Sequence, residues 1–157
     1  MKTCYIETPL GIAEIVGDIK GIASVSVLDE FHTPTQDVPE ELQDCVFQLQ
    51  EYFEGKRKTF NLKLNPQGTS FQQDVWQHLL DIPFGNTQSY LDLSRQLGDE
   101  KAIRAVASAN GKNPLWIIVP CHRVIGSDGS LTGYAGGLNR KQWLLNHEKG
   151  TVQHTLF

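Results

Sequence analysis

The sequence predicts an α/β protein built in two parts, a small antiparallel sheet with one helix followed by a mainly helical part. Two observations predict this class. Strand-like alternation interrupted by glycine turns fills residues 4–28, whereas helical spacing with capping residues prevails beyond residue 69. The segment Asn65-Pro66-Gln67-Gly68 has the composition of a linker. We therefore expect an N-terminal domain over 1–68 and a C-terminal domain over 69–157.

The N-terminal part has the pattern of a meander with a helix. Strand-like runs cover 4–8, 12–16, 22–28 and 60–64. Turns that contain Gly11 and Gly17 join the first three runs, as expected for an antiparallel sheet. Apolar residues then recur at helical spacing from Glu40 to Phe53, and Gly55 follows as a helix terminator.

Three further helices are predicted in the C-terminal part. They cover 71–80, 90–97 and about 101–110, with Ser89 as a cap of the second. A turn containing Gly98 joins the last two, which is the pattern of a helix-turn-helix, where the second helix reads a DNA groove. An ordinary helical hairpin has the same pattern, so the helices alone leave both interpretations open.

The bulk properties exclude several classes of protein. No apolar run approaches the roughly 20 residues that span a membrane, and the first residues lack the apolar stretch of a signal peptide. We expect a cytoplasmic protein. Three cysteines without regular spacing argue against a disulfide framework or a structural zinc site. The formal charge is −4, yet residues 101–149 are strongly basic, which suits a local phosphate-binding face.

A candidate nucleophile follows an apolar run. Residues 115–119 lead into Pro120 and Cys121, and His122 comes next. A neighbouring imidazole oriented by a carboxylate, for which Glu148 is a candidate, can activate a thiol. A lone cysteine is more often an inert buried residue, and adjacent side chains on a strand point to opposite faces. Residue types alone therefore leave the role of Cys121 open.

Several blocks resemble the O6-alkylguanine-DNA alkyltransferases, also called methylated-DNA–protein-cysteine methyltransferases, and most of all their bacterial Ogt-type members. These blocks occur in the family's order and spacing over about half of the chain. They are 71–76, 83–85 with 89–90, 103–106, 113–114, 118–126, 133–138 and 143–148. The resemblance implies a ribonuclease H-like N-terminal domain and a winged-helix-like C-terminal domain with the helix-turn-helix.

The resemblance also implies a reaction centre. Cys121 would accept the alkyl group from a guanine flipped out of the duplex. His122 would remove the thiol proton through a water molecule, and Glu148 would hold the imidazole in the right tautomer. Asn113 would hold the turn between the recognition helix and the nucleophile, although an ordinary asparagine before proline in a turn explains it equally well.

Other matched positions imply contacts with DNA. Tyr90 would help to rotate the nucleotide outward and donate a hydrogen bond to guanine N3. Arg104 would enter the base stack in place of the flipped base, and Ala102 and Ser108 would lie against the DNA with it. Taken alone, Tyr90 is equally typical of a half-buried aromatic residue, and Arg104 of a solvated one.

The last matched blocks imply a base pocket. Tyr134 would form part of a lid, and the backbone N–H of Ala135 would approach O6. The backbone carbonyls of Cys121 and Val124 would accept from the exocyclic amine. A flexible glycine-rich turn is the alternative for this segment.

Three positions depart from common family patterns, namely Ala107, Asn110 and Ala135. Many members have glycine at 107, others have an apolar residue facing the pocket at 110, and some have serine at 135. The zinc ligands of some animal members are not matched, so we expect no metal. No cofactor is expected either, because the cysteine itself is the acceptor.

The resulting prediction is direct-reversal DNA repair by a monomer. It transfers one alkyl group from O6-alkylguanine, or from O4-methylthymine, in double-stranded DNA to Cys121 and then stops, because a thioether is not hydrolysed. Two rival hypotheses are a DNA-binding regulator without alkyl transfer and a cysteine hydrolase indifferent to DNA.

Overall fold

The computed structural model describes residues 1–131, 134 and 136–150 of the chain. The chain forms two compact units. The first comprises Met1–Gln67 and Pro114–Ile118, and the second comprises Gly68–Asn113 and Val119–Phe157. The return of 114–118 to the first unit differs from a simple division at residue 68.

The first unit is built on an antiparallel sheet of order β1-β2-β3, with strands at Lys2–Thr8, Gly11–Asp18 and Gly21–Val27. A register shift at Val16/Gly17 marks a bulge in β2. Helix α1, Glu40–Phe53, contacts all three strands. Its apolar stripe is buried, which is the usual way for a helix and a sheet to share one core.

Two segments lie beside β3 through single bridges. Ile22 pairs with Leu64, and Val25 pairs with Leu115. The predicted strand over 60–64 is therefore a single bridge and not a full strand. Leu115 and Ile117 are buried, which explains the apolar run that precedes the candidate nucleophile.

The second unit is mainly helical. Its helices are α2 Ser70–Leu79, α3 Tyr90–Gln96, α4 Ile103–Gly111 and α5 Leu138–Lys149. Two short 3₁₀ helices, Glu100–Ala102 and Cys121–Arg123, and a parallel pair of two-residue strands, β4 Gln88–Ser89 and β5 Val124–Ile125, complete it. These elements, with the three-stranded sheet, confirm the predicted α/β class.

Local sequence explains where the helices begin and how they pack. Thr69 and Gln72 form a reciprocal capping box at α2, and Ser89 caps α3 by accepting from the Asp92 N–H. Helices α3 and α4 contact each other after a turn in which Gly98 has a φ of 89°. The Trp76 indole donates to the Ala109 carbonyl at 2.9 Å and so ties α2 to α4. Within the described residues, no helix has both the length and the apolar character needed to cross a membrane.

Candidate active site

The candidate nucleophile lies in a turn and not on an extended strand. Pro120 precedes the 3₁₀ helix Cys121–Arg123, whose first amide, that of Cys121, donates to the Val119 carbonyl at 2.8 Å. All three side chains of this turn are buried. The turn thus brings the thiol and the imidazole into the same interior, which consecutive residues of a strand could not do.

His122 and Glu148 form a buried pair. The Nε2 atom of His122 lies 2.6 Å from Oε2 of Glu148, and the two side chains are 0% and 1% exposed. The Nδ1 atom of the same ring is buried and has no hydrogen-bond partner among the described residues. Because the ionised carboxylate accepts from Nε2–H, the lone pair of the neutral ring is on Nδ1.

Arg123 fixes the same carboxylate from another side. Its guanidinium donates to Glu148 through Nε at 2.7 Å and Nη2 at 3.1 Å, and through Nη1 to the Ile82 carbonyl at 2.7 Å. The guanidinium also lies 5.7 Å from the ring centroid of Phe84. The block 83–85 therefore acts as a support for the carboxylate, since the Gly85 amide also points to Glu148, at 3.4 Å.

Burial and charge shift the pKa values of the pair in definite directions. Burial would raise the pKa of Glu148, but the hydrogen bonds and charges of His122 and Arg123 outweigh it and hold that pKa below its usual range. Burial lowers the pKa of His122, and the hydrogen bond and charge of Glu148 only partly oppose this. At neutral pH the pair is thus a carboxylate and a neutral imidazole.

The environment of the thiol is mixed. Burial raises the pKa of Cys121, whereas a hydrogen bond from the Asn113 side chain and the charge of Lys141 lower it. Asn113 also donates through Nδ2 to the Val119 carbonyl at 2.7 Å, so its side chain joins the end of α4 to the segment that carries Cys121. A thiol in this place needs a base to become a nucleophile.

Lys141 is the residue that the sequence reasoning missed. Its side chain on α5 is 0% exposed, and Nζ donates to the Val124 carbonyl at 2.6 Å. Nζ also lies 5.9 Å from the ring centroids of both Tyr90 and Tyr134. Burial lowers the pKa of Lys141 to about 8, and Cys121 opposes that shift. Its position seven residues before Glu148 could have indicated that both face one side of α5.

The remaining predicted residues form two groups, one near Lys141 and one on α4 and the 3₁₀ helix before it. Tyr90, the first residue of α3, is 8% exposed, and Tyr134 is half-buried. Arg104 and Ser108 are exposed together on α4, and Ala102 is half-buried at the end of the preceding 3₁₀ helix. Ala135 lies outside the described residues. No group of three or more His, Cys, Asp or Glu side chains suited to a metal ion occurs in the described part of the chain.

Comparison with known families assigns the chain. The model of the 6-O-methylguanine DNA methyltransferase DNA-binding domain matches residues 70–150, and that of the ribonuclease-like domain of the same methyltransferase matches residues 1–66. The chain belongs to the 6-O-methylguanine DNA methyltransferase family. This confirms the resemblance found in the sequence blocks.

Individual relatives are similar over nearly their whole length. A methylated-DNA–protein-cysteine methyltransferase of Methanosarcina barkeri is 42% identical over 153 residues, covering 94% of this chain and 97% of the relative. One of Mycobacterium tuberculosis strain H37Rv is 44% identical over 148 residues, covering 92% and 90%. The crystal structure of Mycobacterium tuberculosis OGT in complex with DNA has a TM-score of 0.84 at 43% identity, covering 93% of this chain and 92% of that one.

Proposed function

We propose that this chain repairs DNA by direct reversal, taking the alkyl group of an O6-alkylguanine onto the sulfur of Cys121. The observation that carries this proposal is the buried array of Cys121, His122 and Glu148, in which the imidazole keeps its basic Nδ1 unpaired. Family membership and the DNA-bound relative support DNA as the partner.

The proposed reaction begins with loss of the thiol proton. His122 accepts it at Nδ1 through a water molecule, and Glu148 stabilises the resulting imidazolium. The thiolate then attacks the alkyl carbon while the bond from that carbon to O6 breaks. The electron pair of that bond passes to the guanine, which takes up a proton from water at N1, while the imidazolium returns its proton to water and the protein keeps a thioether.

The other predicted residues have supporting roles in this proposal. A hydrogen bond from Tyr90 to guanine N3 would offset the charge that develops on the leaving base. Arg104 on the exposed face of α4 would fill the stack after the base is flipped, beside Ala102 and Ser108. Tyr134 and Ala135 would cover the base.

The proposal requires one copy of the chain and consumes no cofactor. All side chains that are proposed to act on the thiol belong to a single chain, and the cysteine itself keeps the alkyl group. We therefore propose that the protein acts as a monomer and only once. A cytoplasmic location stays a prediction.

Intact-protein mass spectrometry tests the proposal directly. The protein is mixed with a duplex that contains one O6-methylguanine, and its peptides are then mapped. We expect one added methyl group on the peptide that holds Cys121 and none in Cys121→Ser. Unchanged mass with retained DNA binding would refute alkyl transfer and favour the regulator, whereas turnover of small esters without DNA would favour the hydrolase.

A further inference from the structure

Asn110 is a buried amide whose oxygen has no partner. The residue lies near the end of α4 and is 1% exposed. Its Nδ2 atom is 3.4 Å from the backbone carbonyl of Cys121, to which it donates. Its Oδ1 atom forms no hydrogen bond to any described residue. Because both atoms belong to one planar amide, the unpaired acceptor lies beside the backbone of the nucleophile.

The orientation of this amide follows from its surroundings. Exchanging the two terminal atoms would place Oδ1 against the carbonyl oxygen of Cys121, and two acceptors would face each other. A buried acceptor without a partner is unfavourable and calls for a water molecule or a ligand. The missing partner of Asn110 must therefore supply a hydrogen-bond donor.

Two backbone carbonyls lie in the same place, and each already accepts one hydrogen bond but keeps a second lone pair for a ligand. The Val124 carbonyl accepts from Lys141 Nζ at 2.6 Å, and the Cys121 carbonyl accepts from Asn110 itself. A ligand that brings an amino group next to Cys121 would thus find Oδ1 of Asn110 as the acceptor with no earlier partner.

The chemistry of the damaged bases decides which ligand fits. Alkylation at O6 removes the proton from N1 of guanine, so the exocyclic amine is the sole N–H donor that the base retains. An O4-alkylated thymine retains no N–H donor at all. A site built to hydrogen-bond a substrate N–H discriminates strongly against an analogue that lacks it, because the polar group of the site is then left unpaired.

We infer that Asn110 is a specificity-determining residue that favours alkylated guanine over alkylated thymine by accepting a hydrogen bond from the exocyclic amine of guanine. This inference rests on the proposed function and adds to it the choice between the two bases.

A double-mutant cycle tests this inference, in which one change is made in the protein and the other in the damaged base. Single-turnover rate constants are measured with duplexes that contain O6-methylguanine, O6-methylhypoxanthine or O4-methylthymine at the same place. O6-methylhypoxanthine differs from O6-methylguanine only by the absent amine. In the wild type we expect the loss of the amine to slow transfer. In Asn110→Leu we expect that penalty to shrink by about tenfold and the preference for guanine over thymine to fall with it.

Each variant is compared with itself on the two bases, O6-methylguanine and O6-methylhypoxanthine. A general loss of activity caused by the substitution therefore cancels in the ratio of the two rate constants. If Asn110→Leu does not fold, the ratio of the two rate constants is measured in Asn110→Ala and Asn110→Ser instead. Gln48→Leu, which removes a buried amide in the first unit, should keep the wild-type ratio. A penalty that is the same in wild type and Asn110 variants would overturn the inference while leaving the proposed function intact. Absence of methyl transfer by the wild type would overturn both.

Discussion

The carboxylate of Glu148 lies 2.6 Å from Nε2 of His122, and neither side chain reaches solvent. The same carboxylate also accepts two hydrogen bonds from the guanidinium of Arg123. One helix residue thus fixes the orientation of the imidazole and serves as the buried counter-ion of the guanidinium. The proposed reactivity of His122 and the stability of the folded protein therefore both depend on the carboxylate of Glu148.

Replacing Glu148 by glutamine should weaken both contributions, which two different measurements report separately. The amide preserves the shape but removes the charge that stabilises the imidazolium, so we expect methyl transfer to slow by about 100-fold. Arg123 loses its buried counter-ion, and the free energy of unfolding should fall by about 3–5 kcal/mol. Single-turnover kinetics and urea denaturation measure the two effects. Glu54→Gln, at an exposed carboxylate, is the control and should change neither.

Acid should destabilise the protein in two steps because both pKa values are depressed in the folded state. Below 6.5, the ordinary pKa of histidine, the unfolded chain takes up a proton that buried His122 resists, so stability falls. Below 4.5 the unfolded chain protonates the carboxyl of residue 148 while the folded one stays charged, and stability falls again. Urea midpoints from pH 2.5 to pH 8 test this. If His122→Gln retained the loss between pH 6.5 and 5, the assignment of the first step to His122 would be wrong.

Much of the first unit could be predicted from sequence because its elements follow local rules. The meander and α1 were predicted within a few residues, since glycine turns, two-residue alternation and helical spacing each determine structure locally. The strand predicted over 60–64 proved to be one bridge, since pairing with β3 depends on a distant segment. Helix α5 was not predicted as an element, although its block of residues was matched.

The candidate site was predictable in its residues but not in its geometry. The resemblance supplied Cys121, His122 and Glu148 by position. It did not supply the 3₁₀ turn that brings the first two into one interior, because residue types alone do not distinguish a turn from an extended segment after Pro120. The burial of Lys141 was missed for a related reason: a lysine on a helix is normally solvated, and only tertiary contacts reveal the exception.

Lys141→Met should make Cys121 less reactive. The positive charge of Lys141 lowers the pKa of the thiol, so its removal should raise that pKa and reduce the thiolate fraction, and with it the labelling rate, at neutral pH. The readout is the pH dependence of iodoacetamide labelling, resolved by peptide mapping. Cys4 and Cys45, with pKa values raised to about 11 and 12 by burial, should label slowly in every variant.

Two variants control this experiment. Lys149→Met removes a charge from the same helix at an exposed position and should leave labelling unchanged. Lys141→Arg keeps the charge and should restore part of the reactivity. An unaltered pH profile in Lys141→Met would mean that the ammonium does not act on the thiol.

Gly68→Ala should destabilise the second unit. A Cβ atom at residue 68 would collide with the ring of Trp76 and come within 2.8 Å of Oε1 of Gln72, which belongs to the capping box. We expect a loss of about 1–3 kcal/mol in the free energy of unfolding. At Gly111, near the end of α4, a Cβ would meet no atom within 4 Å. Gly111→Ala should thus be neutral or slightly stabilising, and equal losses in both variants would contradict this account.

Arg104→Ala should affect repair of duplex DNA without affecting the chemistry at the thiol. The side chain is exposed on α4, apart from the buried groups that surround Cys121, and its proposed role exists only when a base leaves the stack. Transfer from an O6-methylguanine duplex should slow by about tenfold or more, whereas reaction with the free base O6-benzylguanine should be unchanged. Lys58→Ala removes one exposed charge from the first unit and is the matched control. Equal slowing with duplex and free base would place the effect at Cys121 and refute a role of Arg104 in base flipping.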